Sequence, residues 1–202
     1  MTSSGAALPP VVPAAEGITR AAELVRSGAV VAFPTETLYG LAVDALDGAA
    51  VRRLLAVKGR GPWQPFPCLV AHREMMARLV RQVPEPAERL IRAHWPGPLT
   101  LVLPAAAGLP LPLVNSEGGV GVRISSDPLA ARLVEEAGTP LTATSANLSG
   151  RPPARTAEEA RLGGVALVLD GATRGALAST VVEVMPGRPP RVIRQGGVVI
   201  KV

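Results

Sequence analysis

Aromatic residues are scarce: the 202-residue chain holds two Phe, two Trp and one Tyr. That is too few for the stacking platforms that grip single-stranded nucleic acid, and it requires an aliphatic core. A single cysteine, Cys68, excludes a disulfide framework and a Cys-rich zinc site. Its place in the apolar run Phe66–Ala71 reads as a core position in a reducing compartment. The only histidines, His72 and His94, fall in no nucleophile or metal motif, and neither GxxxxGK[ST] nor GxGxxG is present. No apolar run approaches the ~20 residues of a membrane span. Met1–Ala15 has neither the basic start nor the apolar centre of a secretory signal. The expected location is therefore the cytoplasm. Lysine is nearly missing as well, since nineteen of the 21 basic residues are arginine. Against that bias, Lys58 in mid-chain suggests a position where an ammonium is wanted.

What the chain has is 48% apolar residues, enough to bury a core without staples, and a net charge of +5. The charge fits an anionic small molecule or nucleic acid, but no basic block marks a nucleic-acid tail. Met1–Ala15, rich in Pro, Ala and Ser, reads as a flexible lead-in to one domain over 16–202. Ile18, Ala21, Ala22 and Val25 share a helical face that Gly28 ends. Ala29–Phe33 reads as a buried strand, and Asp47 as the N-cap of a helix through Val57. Further strands are expected at Pro67–Ala71, Leu99–Leu103, Val120–Ile124, Leu141–Thr144, Val165–Leu169, Thr180–Val184, Arg191–Arg194 and Val198–Val202. Helices are expected around Met75–Val80, over Pro86–His94 and from Asp127-Pro128 to Gly138. A capping box, Thr156 with Glu159, predicts one more short helix. Ala105–Gly118 has no periodicity and reads as a mobile loop. Strands and helices interleave, but the late strands are joined by turns alone. This pattern predicts an α/β fold with a twisted, mixed parallel and antiparallel sheet flanked by helices.

Polar groups concentrate at a few strand ends. Phe33-Pro34-Thr35-Glu36-Thr37-Leu38-Tyr39-Gly40-Leu41 sets two hydroxyls, a carboxylate and a phenol at the mouth of a buried strand, a density that an ordinary turn does not need. Lys58 and Arg60 flank a glycine at a helix end. Their repulsion would be offset by an anion such as polyphosphate, or they form a solvated pair favoured by the helix dipole. Ser145 and Asn147, two apart after a strand, would point the same way in extended backbone, or satisfy nearby backbone as a polar turn. Ser179-Thr180 repeats that pattern. Arg123 lies in the apolar run Val120–Ile124, and a buried guanidinium needs a ligand anion or an internal glutamate. Arg194 poses the same question. A site of cations, hydroxyls and amides suits phosphoryl or nucleotidyl transfer by positioning and electrostatics.

Seven segments resemble, in order, the YrdC-like family of threonylcarbamoyl-AMP synthases. They are Phe33–Leu41, Lys58-Gly59-Arg60, Trp95-Pro96-Gly97-Pro98-Leu99-Thr100, Val120-Gly121-Val122-Arg123, Ser145-Ala146-Asn147-Leu148-Ser149-Gly150, Ser179-Thr180-Val181-Val182 and Ile193-Arg194-Gln195-Gly196. The resemblance runs from about Ile18 to Ile200 and implies the short form of the family, without an additional C-terminal domain. It implies a large concave basic pocket and a nucleotidyltransferase that joins L-threonine, bicarbonate and ATP into threonylcarbamoyl-adenylate and pyrophosphate, with Mg2+ accompanying ATP. A downstream tRNA threonylcarbamoyl-transferase complex would then modify the adenosine beside the anticodon in tRNAs reading codons that begin with A. By motif, the catalytic candidates are Lys58, Arg60, Ser145 and Asn147. Lys58 and Arg60 would hold phosphates, and Ser145, Asn147 and Arg194 would complete the ATP side. Thr37, Arg123 and Ser179 would bind threonine, with the backbone at Ala143 finishing that wall. Lys58 is expected to face the pocket, so that Lys58→Ala loses ATP while keeping the fold. Tyr39 either closes over the amino acid or packs, and Glu36 either shapes the loop or meets the ligand ammonium. Ala105–Gly118 is the candidate lid. The chain departs from the family pattern at Gly61, Gln64, Leu69 and Pro153.

Two other readings stand beside this one. An RNA-binding module, or a weak affinity for RNA as a second partner, would follow from the positive charge. A paralogue of the same fold would act on another carbamoyl-type acceptor.

Overall fold

The computed structural model describes residues 8–59, 61, 64–173 and 177–201. Chain order begins β1 (Val11–Pro13), α1 (Ala14–Arg26), β2 (Val30–Phe33), β3 (Gly40–Ala42), α2 (Gly48–Lys58) and β4 (Cys68–Leu69). The short α3 (Arg73–Met76), α4 (Glu85–His94), β5 (Leu99–Pro104), a 3-10 turn at Leu111–Leu113 and β6 (Gly119–Arg123) follow. Then come α5 (Pro128–Ala137), β7 (Leu141–Thr142), β8 (Thr144–Ser145), β9 (Val165–Asp170), β10 (Thr180–Glu183) and β11 (Arg191–Arg194).

The described strands form two mixed sheets, ordered β1-β9-β2-β3-β8 and β11-β10-β5-β6-β4-β7. In the first, β2 runs parallel to β9 and antiparallel to β3. In the second, β5 lies parallel to β10 and antiparallel to β6. Strands β2, β5 and β6 are buried along their whole length, which is why they read as unbroken apolar runs. Helix α1 turns Ile18, Ala21, Ala22 and Val25 inward and packs on α5 and β9. Burial of Ile18 and of Val25 contributes about 1.5–3 kcal/mol each.

The helix ends are set by chemistry visible in the sequence. Asp127 accepts from the amides of Leu129 (2.9 Å) and Ala130 (3.0 Å), with Pro128 at the first helical position. Asp47 caps α2 by accepting from Ala49 N at 2.8 Å. Gly59, at φ 59°, closes that helix in the left-handed region where a side chain would be strained, and so fixes where Lys58 leaves it.

Several expectations need correction. The lead-in is shorter than Ala15: Val11–Pro13 pairs parallel with β9 (Val11↔Val168, Pro13↔Asp170), and α1 begins at Ala14. The β-branched pair Val11-Val12 suits a strand, and the flanking prolines are tolerated because β1 is an edge. The strand expected over Leu141–Thr144 is two strands in two sheets. Leu141 and Thr142 pair with β4, whereas Thr144 and Ser145 pair with β3. No strand covers 198–201; instead the Thr180 hydroxyl donates to Val198 O (2.5 Å) and accepts from Val198 N (3.2 Å). At Thr156 the bond from Glu159 N to Thr156 Oγ1 (3.2 Å) forms, but only turns follow, and the Glu159 carboxylate takes Arg155 N instead (2.7 Å).

The loop 105–118 is held rather than loose. Ala106 N donates to Leu79 O and Phe66 N to Pro112 O, both at 2.8 Å. Asn115 Oδ1 accepts from Gly119 N at 2.7 Å, and Glu117 pairs with Arg188 and Arg191. The loop joins the ends of β5 and β6 opposite Thr100 and Arg123, and through Pro112 it is tied to Phe66, between the cavity-lining Pro65 and Pro67.

Two outcomes follow for the fold. Asp127→Ala removes a buried carboxylate that satisfies two amides and should lower unfolding free energy by about 1–2 kcal/mol in urea titration. Cys68 is fully buried, and burial pushes its thiol up to about 12. Its thiolate is therefore scarce near neutral pH, so iodoacetamide at pH 8 should label Cys68 in denaturant and leave the native protein unmodified.

Candidate functional site

The loop between β2 and β3 is organised by Thr35. Its hydroxyl donates to Leu38 O (2.8 Å) and accepts from the amides of Thr37 (3.1 Å) and Leu38 (3.3 Å). The Thr37 hydroxyl lies 2.9 Å from it. Either hydroxyl can be the donor in that contact, and in both arrangements Thr37 keeps at least one lone pair for other partners. Tyr39 packs: its ring is buried, and its hydroxyl donates to Gly171 O (2.8 Å) and accepts from Gly171 N (3.1 Å). Burial raises the phenol above its ordinary pKa. A Cβ on Gly171 would come within 3.0 Å of Pro34 Cγ and 3.1 Å of Leu129 Cδ1. Pro34 and Tyr39, from one motif, thus grip Gly171 from two sides.

Opposite this loop the backbone crosses between the sheets at Ala143, whose amide donates to Pro67 O at 2.8 Å. Ser145 and Asn147 meet as their spacing predicts, with Ser145 Oγ donating to Asn147 Oδ1 at 2.6 Å. Lys58 joins them: its Nζ donates to Ser145 O and to Asn147 Oδ1, both at 2.6 Å. The residue is only 2% exposed. Where the sequence suggests a side chain facing the pocket, the ammonium is bonded to the turn that carries Ser145 and Asn147. In this arrangement the ammonium holds the Ser145–Asn147 turn from beneath. Arg60 lies outside the described residues.

Arg123 has the internal partner that a buried guanidinium requires. Arg123 Nη1 donates to Glu36 Oε1 at 2.6 Å, with side chains 7% and 9% exposed, and Ser125 Oγ donates to Glu36 Oε2. Burial lowers the Arg123 pKa, the Glu36 charge opposes that, and the nearby Arg194 lowers it further. Glu36 is thus committed to Arg123 and Ser125, rather than standing on the cavity wall as a partner for a ligand ammonium. Arg194 donates through Nε (3.1 Å) and Nη2 (2.9 Å) to Ser179 O, and through Nη2 to Ser179 Oγ (3.2 Å). Burial lowers its pKa as well. Ser179 Oγ lies 2.9 Å from Thr100 Oγ1.

These groups surround a cavity of ≈ 340 Å³ between the two sheets. Six of the expected residues line it: Thr37, Arg123, Ala143, Ser145, Ser179 and Arg194. Lys58 stands behind the wall, and Asn147 opens on a neighbouring groove of ≈ 350 Å³ that shares Pro153 with the cavity. The sequence did not single out Pro65, Pro67 or Ala178, which also line it. They are apolar or lack a polar side chain, and only the fold brings them to the site. Thr35 reads in the sequence only as one of the motif's two hydroxyls; its hub role requires geometry. Chemically the cavity offers two guanidinia, several hydroxyls and backbone carbonyls, and no nucleophile activated by a base. Among the described residues no group of three His, Cys, Asp or Glu is placed to hold a metal ion.

Residues 23–196 match the Sua5/YciO/YrdC family, described as "Telomere recombination". The chain is 42% identical over 186 residues to a putative threonylcarbamoyl-AMP synthase of Mycobacterium tuberculosis, covering 90% of this chain and 85% of that one. It is 40% identical over 181 residues to the threonylcarbamoyl-AMP synthase of Pyrococcus abyssi, covering 88% of this chain. It spans about half of that relative's length (53%). The crystal structure of P. abyssi Sua5 complexed with L-threonine superposes with a TM-score of 0.84 at 39% identity, over 89% of this chain and 54% of that one. With the cavity, its motifs and these matches in agreement, the chain belongs to the Sua5/YciO/YrdC family.

Proposed function

We propose that this protein is an L-threonylcarbamoyladenylate synthase, a nucleotidyltransferase that forms threonylcarbamoyl-AMP and pyrophosphate from L-threonine, bicarbonate and ATP. The observation that carries the reading is the cavity between the sheets. It gathers Thr37, Arg123, Ser145, Ser179 and Arg194 from five separated motifs, together with the backbone crossing at Ala143. On this reading Arg123 and Ser179 receive the threonine carboxylate, and Thr37 accepts from its polar groups. Ser145, Asn147 and Arg194 line the ATP side, and Lys58 and Arg60 serve the phosphates. Arg123 spends one of its five N–H donors on Glu36 Oε1, which leaves a fork for a carboxylate. The reaction would proceed by alignment and by charge stabilisation at the phosphoryl group rather than through a covalent enzyme intermediate.

All carboxylates of the chain lie off the cavity wall, so Mg2+ entering with ATP would be ligated by phosphates and water. Threonylcarbamoyl-AMP would pass to a tRNA threonylcarbamoyl-transferase complex. A paralogue acting on another amine acceptor is the second reading, since hydroxyls and guanidinia bind more than one amino acid.

Pyrophosphate release with each substrate omitted in turn tests the assignment. Release should need threonine, bicarbonate and ATP together, and turnover without threonine, or with another amino acid preferred, would overturn it. Glu36→Ala leaves the Arg123 guanidinium buried and unpaired, so unfolding free energy should fall by about 3 kcal/mol in chemical denaturation. The KM for threonine should rise in the same variant, as Arg123 loses its fixed direction.

A further inference from the structure

The chain has 16 Asp and Glu residues, all of them among the described residues, and none lines the cavity. Among the described residues its charged wall is Arg123 from β6 and Arg194 from β11. Glu36 on the β2–β3 loop backs Arg123, and Asp127 at the start of α5 attracts it from further away. The Lys58 ammonium is bonded to Ser145 O of β8, and Asp170 acts on Tyr39 from a neighbouring groove. A bound amino acid adds its own carboxylate. Two guanidinia then face two carboxylates, that of Glu36 and that of the ligand, and the charges at the wall are balanced. A protonated ligand ammonium would be a further cation, partly withdrawn from water and without a carboxylate on any wall. Both partial desolvation and like charge disfavour the protonated form.

We propose that the cavity holds its amino-acid ligand with the amine neutral, so that binding itself delivers the nucleophile without a general-base side chain. The inference rests on the amino-acid reading given above. The step balances simply: R–NH3+ becomes R–NH2, the proton leaves to the buffer, and the nitrogen pair is available for carbonyl attack. Arg123 and Arg194 supply the field. Thr37 lines the cavity and supplies an acceptor for one remaining N–H, since it keeps at least one lone pair whichever way its contact with Thr35 runs. Cationic neighbours lower the pKa of catalytic lysines by the same logic.

The sign of the pH dependence follows. A ligand amine whose pKa falls on binding makes the complex tighter as pH rises toward the free amine's pKa. Affinity is lost as pH falls toward the bound value, by up to about tenfold per unit between the two. Titration calorimetry of L-threonine into the protein at pH 7.5, in two buffers of different ionisation enthalpy, should show a fractional proton released per ligand bound. In the same titration 2,3-dihydroxybutyrate, which has no ammonium, should bind with no proton release. Arg194→Gln should bind threonine with less proton release. Threonine binding without proton release, or equal release in Arg194→Gln, overturns this inference and leaves the amino-acid site standing. No threonine binding at all overturns the site and the inference together.

Discussion

The ion pair between Glu36 and Arg123 is the interaction on which the site depends. Glu36 sits on the loop between two strands of one sheet, and Arg123 ends a strand of the other. Their bond ties the two sheets together behind the cavity wall. An isolated guanidinium at that depth would be costly, and a carboxylate of this chain removes the cost while leaving most of the donor fork unspent. Ser125 takes the second oxygen of Glu36, so the carboxylate cannot swing toward a ligand without giving up a bond. The result is a cation held in place before any substrate arrives, the condition under which electrostatic stabilisation is most effective.

The remaining walls follow from similar economy of parts. One motif provides Pro34, which ends β2, Thr35, which closes the loop on itself, and Tyr39, whose hydroxyl satisfies both backbone groups of Gly171. Lys58 does the comparable task for the turn after β8. In each case a polar side chain is spent on backbone, and a neighbouring one is left to face the cavity. Such division of labour explains why these motifs carry more polar residues than their turns require.

Much of this was legible in the sequence. Asp47, Asp127 and Pro128 mark their helices because capping and proline preferences are local. The motif loop, Ser145 with Asn147, and Arg123 announced themselves as polar groups against apolar runs. The site residues that line the cavity were found because their motifs occur in order. What was hidden depends on tertiary partners. Lys58 looks like a helix-end cation until Ser145 and Asn147 are seen around its ammonium. The internal-glutamate alternative for Arg123 could be stated, but Glu36 could not be chosen over other acidic residues without the fold. The break of Leu141–Thr144 into two strands leaves no trace in an apolar-to-polar run, since both halves have strand composition. Val11–Pro13 was mistaken for a frayed end because proline and alanine dominate its surroundings, whereas its pairing with β9 is decided at long range.

The crossing at Ala143 carries a mechanical consequence. Five consecutive residues, Leu141 to Ser145, belong first to one sheet and then to the other, with the cavity at the changeover. Neither sheet can rotate against its neighbour without dragging a piece of the binding wall. Large hinge motion between them is thereby coupled to loss of the site's shape. Accommodation of differently sized ligands therefore falls to the loops at the cavity rim, while the sheet-to-sheet angle acts as a fixed gauge.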